Sequence, residues 1–123
     1  MAKIKTFQDL KVWQKSHELV LEIYQITKNF PDSEKFGLVS QTRRAVISIA
    51  SNIVEGFRRK SLKDSLNFYN IADGSLEELK YQLIASRDLK FITSDEFRKA
   101  ASLADEVGRM LYCWIQSQKQ KLR

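Results

Sequence analysis

Apolar residues recur every three or four positions along the chain, a spacing that predicts α-helices. In the first helical segment, about Asp9 to Asn29, two apolar stripes run side by side and polar residues fill the remaining arc. The stripes are Leu10, Trp13, His17, Leu21 and Tyr24, and Val12, Leu19, Ile23, Ile26 and Phe30. Together they cover roughly 220° of the helix, against the ~100° that packing on one core requires. We therefore expect this helix to bury two faces, one of them against another subunit.

Pro31 ends the first helix, because proline lacks an N–H donor and disfavours helix in the residue before it. A second helix begins within residues 33–38 and ends near Arg59, with its apolar side formed by Leu38, Val39, Ala45, Val46, Ile49, Ala50, Ile53 and Phe57. Gly56 falls on this core side, where the missing side chain allows another helix to approach closely. Its helix-propensity cost of about 1 kcal/mol is then offset by packing.

Capping residues predict where the last two helices begin. Ser61 is a predicted N-cap for the third, which runs to about Lys90, and Thr93 or Ser94 caps the fourth. Gly74 lies on the polar side of the third helix, where a close contact with another subunit or a local bend would explain it. Four helices with short connections in 123 residues predict one all-α domain, an antiparallel up-down-up-down four-helix bundle over residues 1–123.

The composition argues against an enzymatic or metal-binding function. The chain has one histidine and one cysteine, His17 and Cys113, far apart in sequence, so a Cys/His dyad or a multi-histidine metal site is not expected. It carries no phosphate-binding, dinucleotide-binding or zinc-protease motif. We predict a protein that is not an enzyme and that uses neither cofactor nor metal. The longest apolar run, 110–115, is far too short for a membrane span, and no secretory signal is expected because the N-terminus lacks an apolar region. Since a single cysteine forbids an internal disulfide, a cytoplasmic protein is expected.

The second helix and its flanks carry a recognisable motif. It reads Phe30-Pro31-x-x-Glu34-x-Phe36-Gly37-Leu38-x-x-Gln41-x-Arg43-Arg44-Ala45-x-x-Ser48-Ile49-x-x-Asn52-Ile53-x-Glu55-Gly56, with Phe7-x-x-Leu10-x-Val12-Trp13-Gln14 upstream and Ala72-x-Gly74-Ser75-x-x-Glu78-Leu79 downstream. This pattern resembles the four-helix-bundle family of 23S rRNA intervening-sequence proteins. The resemblance implies a closed, ring-like homo-oligomer, a pentamer, and an architecture similar to the accessory protein of diversity-generating retroelements.

The formal charge is +6, from 21 Lys and Arg against 15 Asp and Glu, which favours an acidic partner. The densest basic cluster, Arg58-Arg59-Lys60, follows the second helix, although cations at a helix C-terminus also stabilise the helix dipole. We predict non-specific binding of RNA or DNA through phosphate contacts. The predicted contact residues are Arg44, Arg58, Arg59, Lys60, Lys119, Lys121 and Arg123. The alternative is a protein-interaction scaffold with no nucleic-acid role, which would bind a protein partner.

The other motif residues have structural explanations. We predict that Arg43, on the flank of the apolar arc, pairs with Asp73 inside the bundle, whereas Arg44 on the polar stripe faces either a partner or an internal carboxylate. Asn52 is expected to bond across to the backbone of a neighbouring helix, and Glu55 to form an ion pair between subunits. Trp13 is a predicted core or interface anchor, as is Trp114, and His17 a packed, hydrogen-bonded imidazole.

Overall fold

The computed structural model describes the backbone of residues 3–122 and the side chains of residues 3–121. This part of the chain forms four α-helices and contains no β-strand, which confirms the all-α class. The helices are α1 (Lys11–Thr27), α2 (Leu38–Arg58), α3 (Leu62–Asp88) and α4 (Ser94–Lys119), with 3-10 turns at Phe7–Asp9, Asp32–Glu34 and Gln120–Leu122.

The predicted caps set the beginnings of α3 and α4. The Ser61 hydroxyl accepts a hydrogen bond from the backbone N–H of Asp64 at 3.3 Å. At α4, the Thr93 hydroxyl accepts from the N–H of Glu96 at 3.0 Å, and the Glu96 carboxylate accepts from the N–H of Thr93 at 2.9 Å. These side chains satisfy N–H groups that the first turn of a helix leaves without a partner.

Contacts between helices fix an antiparallel arrangement. Lys15 of α1 pairs with Glu106 of α4 at 3.4 Å, whereas Glu22, further along α1, pairs with Lys99, earlier in α4, at 3.3 Å. Each helix packs against the helices next to it in sequence, and α4 closes the arrangement by packing on α1. The result is a four-helix bundle with its apolar core along the middle.

The core includes a tight contact between α2 and α3 at Gly56. This glycine is buried, and the ring of Tyr69, which is only 2% exposed, occupies the space that a side chain at this position would take. A Cβ added at Gly56 would lie 2.8 Å from Tyr69 Cδ1 and nearer still to Cε1. The prediction of a close helix approach at Gly56 is therefore confirmed, and burial raises the pKa of the Tyr69 hydroxyl.

The apolar stripe of α1 formed by Leu10, Trp13, His17, Leu21 and Tyr24 lies largely outside this core, whereas the other stripe is buried in it. Leu21 is 59% and Tyr24 36% exposed, and the half-buried Trp13 packs at the edge of the core with its indole against the Phe7 ring. Leu10 is the exception and is buried. One chain therefore leaves part of the wide apolar arc of α1 in contact with solvent.

The predicted ion pair between Arg43 and Asp73 is wrong. Arg43 turns towards α1, where its Nε donates to the Thr27 hydroxyl at 3.0 Å and its guanidinium lies 4.5 Å from the centre of the Tyr24 ring. Asp73 is exposed on α3 and borders a groove between α3 and α4. Arg43 sits on the edge of α2 that faces α1, and that edge cannot reach the far side of α3.

Other predicted contacts form within single helices. The Asn52 amide donates to the carbonyl oxygen of Ser48 in its own helix at 2.8 Å, which corrects the prediction of a bond to a neighbouring helix. The Glu55 carboxylate pairs with Arg59, four residues on, at 2.7 Å within the chain, and its ion pair between subunits stays a prediction. Apart from the adjoining backbone of its own helix, no heavy atom of the described residues lies within 4 Å of a Cβ added at the exposed Gly74, and α3 continues through this residue.

The prediction for His17 also needs correction. The side chain is exposed and stacks on the Trp13 indole with the ring centres 5.3 Å apart and the planes 6° apart. It makes none of the hydrogen bonds found in the described part of the chain. His17 therefore belongs to the exposed stripe of α1.

Candidate nucleic-acid interface

The antiparallel order brings three basic segments to one end of the bundle. The chain enters α1 at this end, turns from α2 into α3 there, and leaves α4 there. Residues 3–11, 55–64 and 116–121 are thus neighbours in space although they are distant in sequence. We call this region the basic end.

The basic end carries nine basic and three acidic side chains within the described residues. All nine basic side chains are exposed: Lys3, Lys5, Lys11, Arg58, Arg59, Lys60, Lys63, Lys119 and Lys121. The opposite end, residues 27–38 and 87–99, carries six basic and five acidic residues. The excess positive charge of the chain is therefore concentrated at one end.

Two of the three acidic groups at the basic end have local partners. The Asp9 carboxylate accepts hydrogen bonds from the backbone N–H groups of Lys5 and Thr6 at 2.8 and 3.0 Å, which lower its pKa. The Glu55 carboxylate pairs with Arg59, whose guanidinium also lies over the Phe68 ring at 4.5 Å. Arg59 is thus partly engaged within the chain.

Helix dipoles explain only part of the basic end. Arg58 and Lys119 lie in the last turns of α2 and α4, where a cation stabilises the partial negative charge of the helix C-terminus. Lys11 and Lys63 lie in the first turns of α1 and α3, where the dipole disfavours a cation. An anionic ligand would account for basic residues at both kinds of helix end.

The structure brings together most, but not all, of the predicted contact residues. Arg58, Arg59 and Lys60 lie at the same end as Lys119 and Lys121. Arg123 lies outside the described residues.

Arg44 is exposed but separate from the basic end. It lies in α2 about 21 Å along the helix from Arg58, which is more than the ~10 Å over which salt screens exposed charges. It contributes little to the potential at the basic end.

Sequence reasoning missed four basic residues of this end, namely Lys3, Lys5, Lys11 and Lys63. None belongs to a dense cluster. An up-down bundle nevertheless places the start of the chain beside the turn between the second and third helices and beside the C-terminus. These lysines could therefore have been predicted from the up-down topology.

A groove of about 750 Å³ opens beside the basic end, between the entry to α1 and the last third of α4. Its walls include apolar side chains, two lysines and the single cysteine, Cys113, which is exposed. A second groove of about 500 Å³ runs between α3 and α4 and is lined by Asp73, Glu77, Lys80, Asp105, Gly108, Arg109, Tyr112 and Cys113.

The described residues hold neither a metal-binding cluster nor a helix that could span a membrane. No set of three or more His, Cys, Asp or Glu side chains in residues 3–121 could hold a metal ion. None of the helices described has the length and hydropathy needed to cross a membrane.

Comparison with known proteins places the fold. The chain is similar to the crystal structure of a protein of unknown function from the S23 ribosomal protein family of Bacteroides thetaiotaomicron VPI-5482, with a TM-score of 0.79 and 27% sequence identity. That similarity covers 85% of this chain and 95% of the other. No curated protein gives a significant match. A model of the family described as 23S rRNA-intervening sequence protein matches residues 8–113, and the protein therefore belongs to that family.

Proposed function

We propose that the protein is a non-enzymatic homo-oligomer that binds RNA or DNA without sequence specificity, through phosphate contacts at its basic end. The observation that carries the proposal is the convergence of nine exposed basic side chains, against three acidic ones, at one end of the bundle. Binding a phosphate backbone releases condensed counterions, so such an array binds nucleic acid of any sequence. Phosphate contacts position the ligand but carry no sequence information.

The proposed homo-oligomer rests on the exposed stripe of α1. Leu21 and Tyr24 of this stripe, together with Ile47 on the neighbouring α2, are each at least 36% exposed. Burying these side chains against a second copy would remove apolar surface from water. The resemblance to the family implies five subunits in a ring. A ring repeats the basic end, and several linked weak sites bind one strand far more tightly than one site does.

Charge removal at the two ends tests the nucleic-acid proposal. The basic-end variant carries Arg58→Gln, Lys60→Gln and Lys119→Gln. The matched control carries Lys28→Gln, Lys35→Gln and Lys90→Gln, which remove the same charge from exposed positions at the opposite end.

Binding of mixed-sequence RNA and duplex DNA is measured by filter binding from 50 to 200 mM salt. Each phosphate contact contributes about 0.7 to 0.9 to the slope of log K against log salt, so the basic-end variant should lower that slope by about 2 to 3. The control should leave it nearly unchanged. Equal losses in both variants, or no binding by the unmodified protein at low salt, would overturn the proposal.

Mass measurement tests the oligomer. A pentamer would have five times the 14.4 kDa mass of one chain. Leu21→Glu should dissociate it, whereas Ile71→Glu, at a similarly exposed position on α3, should not. A monomeric unmodified protein would contradict the proposed assembly.

The alternative, a protein-interaction scaffold, is favoured by one further observation. Phe36, in the connection between α1 and α2, is 88% exposed at the end opposite the basic end. A scaffold would bind its protein partner through apolar side chains such as this one. Its binding would be insensitive to the basic-end substitutions and to salt, which distinguishes the two functions.

A further inference from the structure

The groove beside the basic end differs in chemistry from the charged surface around it. Its floor is formed by Leu10, Val12, Met110 and the half-buried Trp114. Its volume, about 750 Å³, is within the range of pockets that enclose a small organic group. The lining residues are contributed by the N-terminal segment, the first turns of α1 and the last third of α4.

The charges at the rim of the groove favour an anionic occupant. Lys3 and Lys11 line it directly, and Lys121 lies one turn beyond the lining residue Ser117. Asp9 also lines the groove, but its carboxylate accepts two backbone N–H bonds, which hold it in place beside the entry to α1. An occupant that suits this site has a flat apolar part for the floor and negative charge for the lysines.

A nucleotide has both parts, so we propose that the groove holds an unpaired nucleobase and that the nucleic acid bound at the basic end is single-stranded. This inference rests on the proposed function, since it names the form of nucleic acid that the basic end binds. In a duplex the bases are already paired and stacked, and one would have to be extruded before it could enter the groove. An unpaired base enters at no such cost, while its phosphates reach the same lysines.

The expected preference follows from the energy of base stacking. Stacking of a base on an aromatic side chain raises the affinity by roughly 5- to 100-fold for each base. A duplex presents more charge per unit length than a single strand, so phosphate contacts alone would favour the duplex. A preference for the single strand would therefore report on the groove and not on charge.

Filling the groove separates the two contributions. Ser117 is exposed on α4 and lines the groove, so Ser117→Trp places a bulky side chain at its wall. The matched control is Ser102→Trp, at an exposed position of the same helix that lines neither groove described here. Circular dichroism checks that both variants keep their helical content.

Fluorescence anisotropy at one fixed salt concentration then measures the affinity for a labelled single strand and for the duplex of the same sequence. Each is about 12 nucleotides long, which is roughly one turn of duplex DNA. The unmodified protein and Ser102→Trp should bind the single strand roughly 5- to 100-fold more tightly than the duplex. Ser117→Trp should lose that preference and keep its duplex affinity.

Cys113 provides a readout that needs no substitution. It is the only cysteine of the chain, it is exposed, and it lines the groove. A saturating single strand should slow its reaction with the uncharged reagent N-ethylmaleimide several-fold, whereas a saturating duplex should not.

The outcomes distinguish failure of this inference from failure of the proposed function. Equal, salt-dependent binding of strand and duplex, with no protection of Cys113, would overturn the inference and leave the phosphate contacts standing. Absence of binding to either at low salt would overturn both. If Ser117→Trp changes the mass of the assembly but not the strand preference, a second copy of the chain occupies the groove and the inference is wrong.

Discussion

Gly56 and Gly74 offer a direct test of the packing between α2 and α3. Both are helical glycines, but one is buried under the Tyr69 ring and the other is exposed with open space around it. Replacing a helical glycine with alanine stabilises a helix by about 1 kcal/mol when nothing obstructs the new methyl group. Gly74→Ala should therefore raise the free energy of unfolding by about 1 kcal/mol.

Gly56→Ala should have the opposite effect. The new Cβ would lie 2.8 Å from Cδ1 and 3.0 Å from Cζ of Tyr69. Carbon atoms in favourable contact are about 3.5 to 4.0 Å apart, so the ring or the helix would have to move by roughly 1 Å. Because Tyr69 is only 2% exposed, its ring cannot move without displacing neighbouring core side chains. Overpacking of this kind costs about 1 to 3 kcal/mol, and a contact this short lies at the upper end.

The gain in helix propensity is common to both variants and cancels in their difference. The two free energies of unfolding should therefore differ by about 3 kcal/mol, the overpacking cost alone. Urea denaturation followed by circular dichroism measures this difference. With a denaturant dependence of about 1 to 3 kcal/mol per M, the midpoints should lie about 1 to 3 M apart. All samples are compared at one protein concentration, because self-association stabilises the folded state.

A double-mutant cycle identifies the cause. Tyr69→Leu removes the ring, so Gly56→Ala should cost much less in that background, with a coupling energy of about 1 to 3 kcal/mol. If Gly56→Ala raises the urea midpoint as much as Gly74→Ala does, the close approach of α2 and α3 at this position is refuted.

Three further outcomes follow from the local contacts. Thr93→Ala should lower the free energy of unfolding by about 1 kcal/mol, because α4 loses its N-cap, and an unchanged urea midpoint would count against the capping box. Asp73→Ala should change stability by less than about 0.5 kcal/mol, because Arg43 is bound on the other side of α2; a melting temperature lowered by more than a few degrees would contradict this. The pKa of Asp9 is lowered, so the stability that its two backbone contacts supply is complete at neutral pH and is lost as the pH falls through its ordinary pKa and then the lowered one. An NMR titration should show the carboxyl titrating below its ordinary value, and a normal or raised value would be inconsistent with those contacts.

Local signals in the sequence were enough to predict the helices. The Ser61 and Thr93 caps each accept a hydrogen bond from a backbone N–H three residues on, so both partners can be identified from the sequence alone. Gly56 could also be predicted, because its place on the helical wheel puts it on the core side and only a close neighbour explains a glycine there. The identity of that neighbour, Tyr69, required the structure.

The partner of Arg43 could not be predicted in the same way. The helical wheel places Arg43 at the edge of the apolar arc, but it does not say which helix lies on that side. Helix α2 packs against α1 on one side and α3 on the other, and the sequence does not show which of them faces Arg43. Asp73, which lies in α3, would be a reasonable partner only if α3 were on that side. The structure places α1 there, with Tyr24 and Thr27 as the partners.

By itself, the sequence determined the helices, their approximate ends, the apolar excess of α1 and the positive charge of the chain. These properties depend on neighbours a few positions apart, through hydrogen bonds, backbone sterics and helical periodicity. The tertiary structure decided which distant residues meet. It gathered lysines from both termini and from the turn between α2 and α3 into one basic end, and it opened a groove between the entry to α1 and the last third of α4. Both depend on how the helices are ordered and packed in space, and no short stretch of the chain encodes that order.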